Sequence, residues 1–338
     1  MDMRFALASS WKWVLLFIVF ILFVFGVSLS IGKLPVGPFD LAAILFGNGT
    51  PQSELVLFTI RLPRMVIALL IGTGLAVSGA VLQGLSRNSL ADPGILGINA
   101  GAGLAVVLVI FFLQSSEWSS SPFMLPLFAF IGAVTVAALI YLFSYQDGVD
   151  PGRLILIGIG FNALCGAALM IFQLKMDPRD FQKAAIWLTG SIWGTQWRYV
   201  LALVPWIFIL LPVIYAKSRA LNLLQLNDQA PFTLGLHVER ERKILLVLSA
   251  ALAGACVSVG GGISFLGLLA PHLARRLTGP NYFSLLPVSA LIGAFILLTA
   301  DMIGKNILAP ADVPAGIIVS IIGAPYLVYM LLSRKQTS

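Results

Sequence analysis

Charge is what this sequence has least of. Asp, Glu, Lys and Arg make up 10% of its 338 residues, against about a quarter in soluble domains. With 59% hydrophobic residues and a mean hydropathy of +0.98, a water-solvated enzyme is excluded. Cysteine is equally sparse. Cys165 and Cys256 both lie inside apolar runs, so neither a disulfide framework nor a metal-ligand spacing exists. His272, after Pro271, has no second His, Cys or carboxylate nearby in sequence, and a capping or interhelical hydrogen bond suits it better than a metal. No G-x-x-x-x-G-K-[ST] phosphate loop is present, so ATP chemistry has no site in this chain. The net charge of +7 does not point to nucleic acid, because the basic residues stand singly or in pairs between apolar runs, which is how membrane topology is written.

Long apolar runs are what the chain does have. A membrane span needs about 20 apolar residues, and runs of that kind cover 13–31, 62–84, 94–114, 123–144, 153–174, 197–216, 243–260, 283–304 and 312–332. A tenth, 264–277 ("SFLGLLAPHLARRL"), is short and glycine-containing. The first run follows Arg4 and Lys12 and lacks a small-x-small cleavage site. At near 19 residues it also exceeds the roughly 7–15 of a signal-peptide core, so it reads as an uncleaved span. Between spans five and six, "FQKAAIWLTGSIWG" reads as a half-helix or re-entrant piece with interfacial tryptophans. No linker divides the chain, and residues 1–338 read as one transmembrane domain of an all-α, multi-pass protein.

Lysine and arginine orient it. With the N-terminus inside, thirteen of these residues fall on the inner side and eight on the outer, and ten spans put both termini inside. Five spans plus five also permit the inverted-repeat plan of many transporters. Gly72, Gly74, Gly79 and Gly84 form a small-residue ladder that lets helix backbones approach closely in lipid. Asp301, inside the ninth span, needs a partner or water, and a structural bond to a neighbouring helix is the favoured reading. The second span opens with "TIRLPR", in which Pro63 suits a first helical turn and Arg61 and Arg64 share a face. On composition, headgroup snorkelling and a docking role weigh equally for this pair.

The longest polar interruption after the chain's midpoint, 216–243, is inner by this topology. It reads as two short helices, "RALNLLQL" and "DQAPFTLG", the second ending at Gly235 as a C-cap. Connections need only a few residues, so nearly thirty here favour a partner surface over an ordinary charged inner loop. "NDQAPFTLG" resembles the coupling motif of ABC-importer permeases, at Asp228, Ala230, Leu234 and Gly235. More specifically, "IRLPR" (60–64), "SGAVLQGLSRNSLADPGILGINAGAG" (78–103), "WLTGSIWGTQW" (187–197), "GGGISFLGLLAPHLARRLTG" (260–279) and "DVPAGIIVSIIGAPYLVYML" (312–331) resemble the iron–siderophore and vitamin B12 importer permeases, the FecCD-type subunits.

That resemblance implies a type II ABC importer permease: about ten transmembrane helices per subunit, paired with a second permease subunit, identical or paralogous. It implies an extracytoplasmic binding protein and two ATP-binding subunits carrying ATP and Mg, with no cofactor or metal held by this chain. The location implied is the bacterial cytoplasmic membrane. The loop "SYQDGVDPGRL" matches the cytoplasmic gate at Asp147, Gly148, Asp150 and Pro151, which also make an ordinary turn. Arg61 and Arg64, with Lys305 as third member, match the basic residues that receive the binding protein's carboxylates. Charge reversal at Arg61 and Arg64 is expected to weaken docking without unfolding the subunit. The expected cargo is an iron(III)–siderophore chelate, with vitamin B12 or haem second. An ion-coupled secondary transporter is the alternative of another class.

Overall fold

The computed structural model describes residues 3–31, 37, 44, 49–113, 121–146, 151–226, 236–309 and 311–334. Twelve α-helices run through them. They are α1 (Met3–Ser30), α2 (Pro51–Ser86), α3 (Ile98–Leu113), α4 (Met124–Ser144), α5 (Pro151–Leu174) and α6 (Pro178–Leu188), followed by α7 (Trp197–Ala216), α8 (Ser218–Leu224), α9 (Val238–Gly260), α10 (Leu266–Thr278), α11 (Tyr282–Ile307) and α12 (Ala315–Arg334). Helices are what lipid requires, since each backbone N–H and C=O must find its partner within the segment. Eight of them are long and apolar enough to cross a bilayer. Two shorter ones, α3 and α10, stand at the other two expected spans, with about 24 and 20 Å of helix at 1.5 Å per residue. The amphipathic α6 and the short α8 match the expected half-helix and the first helix of the long polar loop.

The second span starts earlier than its hydropathy implies. Thr50 caps α2, its hydroxyl accepting from the Ser53 N–H at 3.3 Å, and Pro51 takes the first turn. Residues Val56–Arg61 form a π-helical turn. Pro63 therefore lies within a continuous helix rather than opening one. A proline inside a helix removes one i→i−4 bond, and it is tolerated here directly after a turn whose register is already shifted.

Helix α2 is the centre of the bundle, and its glycine ladder explains why. Gly72 lies against Gly293 and Ala294 of α11, Gly74 against Cys256 of α9, Gly79 against Gly267 of α10, and Gly84 against Tyr282 at the start of α11. A methyl at any of them would enter a neighbouring backbone or buried side chain. Removing the side chain thus sets four helix–helix approaches where van der Waals contact, not water exclusion, supplies the attraction. A second group forms where Gly101 of α3 meets Gly132 of α4, and α9 packs against both groups. Helix α1 lies on the periphery, with Phe17 and Phe20 against Phe295 of α11.

Between α9 and α10 the chain turns through Gly261 (φ 72°) and Phe265 (φ 66°). A side chain in the left-handed region costs about 1–2 kcal/mol, and Phe265 offsets this by seating its ring against the bare backbone of Gly323 in α12. The same turn is stitched to the last turn of α6, and the start of α12 to the segment just beyond it. Gly262 N–H donates to Trp187 O at 3.2 Å, and Gly316 N–H, at the start of α12, donates to Gly190 O at 2.9 Å. Beside this seam lies an open cavity of about 600 Å³ whose lining includes Thr189, Ser264, Ile317, Ser320 and Ile321.

Candidate functional site

The three basic residues singled out in the sequence converge on one end of the bundle. Arg61 and Arg64 come from α2, one on the π turn and one just after it, and Lys305 comes from the last turn of α11. With Asp301, Asp312, Trp193, Met65 and Ile31 they line a cavity of about 230 Å³.

Each cation is held by the protein itself. Arg64 donates from Nε to both oxygens of Asp301 at 2.9 and 3.1 Å, its Nη2 lies 2.8 Å from Asp301 Oδ1, and its Nη1 reaches Asp312 Oδ2 at 2.9 Å. One guanidinium fork thus ties α2 to α11 and to the segment leading into α12, in the bidentate geometry that makes arginine–carboxylate pairs strong. The Asp301 side chain is only 1% exposed. A carboxylate buried inside a span is costly unless it is paired or wetted, and this arginine supplies the partner that offsets the cost of burying Asp301. Lys305 donates to Ser28 O at 2.9 Å and to Ser28 Oγ at 2.6 Å, and Arg61 donates to Leu29 O. Both therefore cap the carbonyl end of α1, where cations are favoured by the orphan carbonyls and the helix dipole.

This geometry bears on one expectation, that charge reversal at Arg61 and Arg64 leaves the fold intact. Reversing the charge of Arg64 would leave Asp301 buried beside a like charge, so Arg64 is not a surface residue that can be changed without cost to the fold. The sequence reading flagged Asp301 but not its partner, and it gave Asp312 and Trp193 no role. The other predicted sites are not brought into view. Asp147, Gly148 and Asp150 lie outside the described residues, as do Asp228, Ala230, Leu234 and Gly235. Pro151 is the first residue of α5. His272 packs edge-on against Tyr326, ring centroids 5.8 Å apart.

At the opposite end, Arg87 leaves α2 in the left-handed conformation (φ 50°). Its guanidinium donates to Leu224 O at 3.0 Å and Leu226 O at 2.8 Å, capping α8. The chain then continues into 227–235, the stretch whose sequence resembles a coupling motif.

Comparison with known proteins decides what this bundle is. The family model of the FecCD transport family matches residues 18–333. The chain belongs to that family. It is 52% identical over 318 residues to the iron(3+)-hydroxamate import system permease protein FhuG of Bacillus subtilis, covering 93% of this chain and 95% of that one. It is 44% identical to the iron-uptake system permease protein FeuC of the same organism, covering 95% and 97%. Among solved structures, a metal-chelate type ABC transporter in an inward-facing conformation superposes with a TM-score of 0.84 at 30% identity, covering 95% of this chain and 99% of that one. As a member of the family, the chain is a multi-span, all-helical permease subunit.

Proposed function

We propose that this chain is the membrane subunit of an ATP-driven importer of iron(III)–siderophore chelates, with hydroxamates the first class to test. The observation that carries this reading is the 52% identity to an iron(3+)-hydroxamate permease across 93% of the chain. Two copies of the fold, identical or paralogous, enclose the pathway. Separate ATP-binding subunits engage the loop after α8 through Asp228, Ala230, Leu234 and Gly235, and an extracytoplasmic protein delivers cargo at the Arg64 end. Both termini are then cytoplasmic. The loop holding Asp147, Gly148, Asp150 and Pro151 serves as the inner gate. Exposed apolar faces on α5 (Leu156, Ile159, Leu164) and α12 (Ile321, Ile322, Val328) supply surface for lipid and for the second subunit.

The physical logic is alternating access. ATP and the docked binding protein favour different conformations, and each shifts the bundle only by its differential affinity. Three cations face two carboxylates around the Arg64 cavity, and this surplus positive charge favours an acidic docking partner. Ion-coupled transport is disfavoured by the same cluster, because its one deeply buried carboxylate is fixed to an arginine rather than available to a passing ion. The test is uptake of a radiolabelled iron(III) trihydroxamate into vesicles with and without the ATPase subunits. Uptake that requires them supports the importer. Uptake that persists without them and collapses with the proton gradient refutes it.

A further inference from the structure

At the α8 end one buried residue ties four helices together. Tyr282, the first residue of α11, is fully buried. Its hydroxyl donates to Ala80 O of α2 at 3.2 Å and accepts from Gln225 Nε2 at 2.9 Å and Arg275 Nη2 of α10 at 3.2 Å. A phenol has one proton and two lone pairs, so all its capacity is used. The Arg275 guanidinium also lies over the ring, 5.7 Å from its centroid. The Tyr282 backbone N–H donates to Asn222 Oδ1 of α8 at 2.9 Å. Gly84 of α2 has no side chain where a Cβ would come within 2.6 Å of the hydroxyl.

The position of this node in the chain gives it a use. Gln225 directly follows α8, and the coupling motif begins three residues later at Asp228. In the other direction, α11 continues from Tyr282 to Asp301, nineteen residues on or about 29 Å of helix, with Lys305 one turn further. The helix anchored at the Tyr282 node is therefore the one that carries Asp301, the partner of Arg64. A segment displaced at α8 must move α10 and α11 with it, because polar groups buried in a bundle have no water to exchange with.

We propose that Tyr282 is a positioning residue for energy coupling. It fixes α8, and with it the loop that meets the ATPase, to α2, α10 and α11, so that nucleotide-driven movement of the loop reaches the Arg64 end. This rests on the importer reading above. The test uses the complete importer, reconstituted with its ATPase and binding protein in liposomes. ATP hydrolysis and uptake of radiolabelled iron(III) trihydroxamate are measured side by side. Tyr282→Phe keeps the ring and removes only the hydroxyl. It is expected to leave hydrolysis within about twofold while lowering chelate imported per ATP by about fivefold or more, the scale of a modest coupling energy. Gln225→Met, at a partly exposed position, should give the same split in weaker form and serves if the tyrosine variant does not assemble. A proportional fall in both rates marks a purely structural role and overturns the proposal, as does an unchanged ratio in both variants. Uptake by the unmodified protein without its ATPase overturns the importer reading itself, and that result is seen before any variant is made.

Discussion

Arg64→Ala isolates the ion cluster. The substitution removes three short contacts to Asp301 and one to Asp312 and strands a carboxylate whose side chain is 1% exposed. Breaking a buried pair from one side costs about 3–5 kcal/mol, because the remaining charge has lost its compensation. Lys305 lies four residues beyond Asp301 on the same helix face and recovers part of that. For a chain of this size the loss corresponds to a melting shift of roughly 4–7 °C, read by fluorescence-detected unfolding in detergent or nanodiscs. Asp301→Asn should cost less, about 1–3 kcal/mol, since Arg64 keeps Asp312. The double variant Arg64→Met with Asp301→Leu should recover most of the lost stability, as replacing a whole buried pair by apolar groups often does. If Arg64→Ala melts within a degree of the parent, or the double variant melts no higher than Arg64→Ala, the cluster does not hold the fold as described.

Three further outcomes follow from other parts of the bundle. Gly79→Ala drives a methyl into the main chain of Gly267 and should abolish a monodisperse peak on detergent size exclusion, whereas Gly26→Ala, with nothing within 4 Å, should be silent or mildly stabilising. Arg61→Ala and Lys305→Ala each uncap α1 at a cost of about 0.3–1 kcal/mol, visible as faster amide exchange over its last turn with little change in melting. Asp92 follows α2 and accepts the Gly94 N–H at 2.9 Å, and burial pushes its carboxyl up to about 6. A raised carboxylate contributes stability that is full below its ordinary value near 4 and lost as pH rises through about 6. Asp92→Asn keeps the cap, so it should flatten the melting temperature between pH 4 and pH 7. An unchanged slope would assign that pH dependence to other groups.

Much of this architecture was legible in the residues because lipid makes composition speak. Apolar run length located the spans, and the glycine ladder marked α2 as a helix that neighbouring backbones can approach closely. The short α10 was readable only as part of a ten-span count, since hydropathy scores length and it has thirteen residues. The start of α2 was misplaced for a related reason. Pro63 is a strong helix-start signal, but nothing local reveals that a π turn can carry a helix through it. The ion cluster was half legible. Arg61, Arg64, Lys305 and Asp301 stand out as charges beside or within apolar runs. Their pairing does not, because Arg64 meets Asp301 and Asp312 across 237 and 248 residues of chain and no periodicity spans that distance. The Tyr282 node left no trace in sequence, because a tyrosine at a helix start is ordinary until its four neighbours are known.

The seam joining Trp187 and Gly190 to Gly262 and Gly316 is made of main-chain hydrogen bonds, which any side chain leaves intact provided the glycines that permit the approach remain. Around it, Thr189, Ser264, Ile317, Ser320 and Ile321 line an open cavity and take no part in those main-chain bonds. Selection can therefore exchange those side chains one at a time without disturbing the register of α6, α10 and α12. A fold braced in this way can vary the surface of that cavity while the packing around it is inherited unchanged.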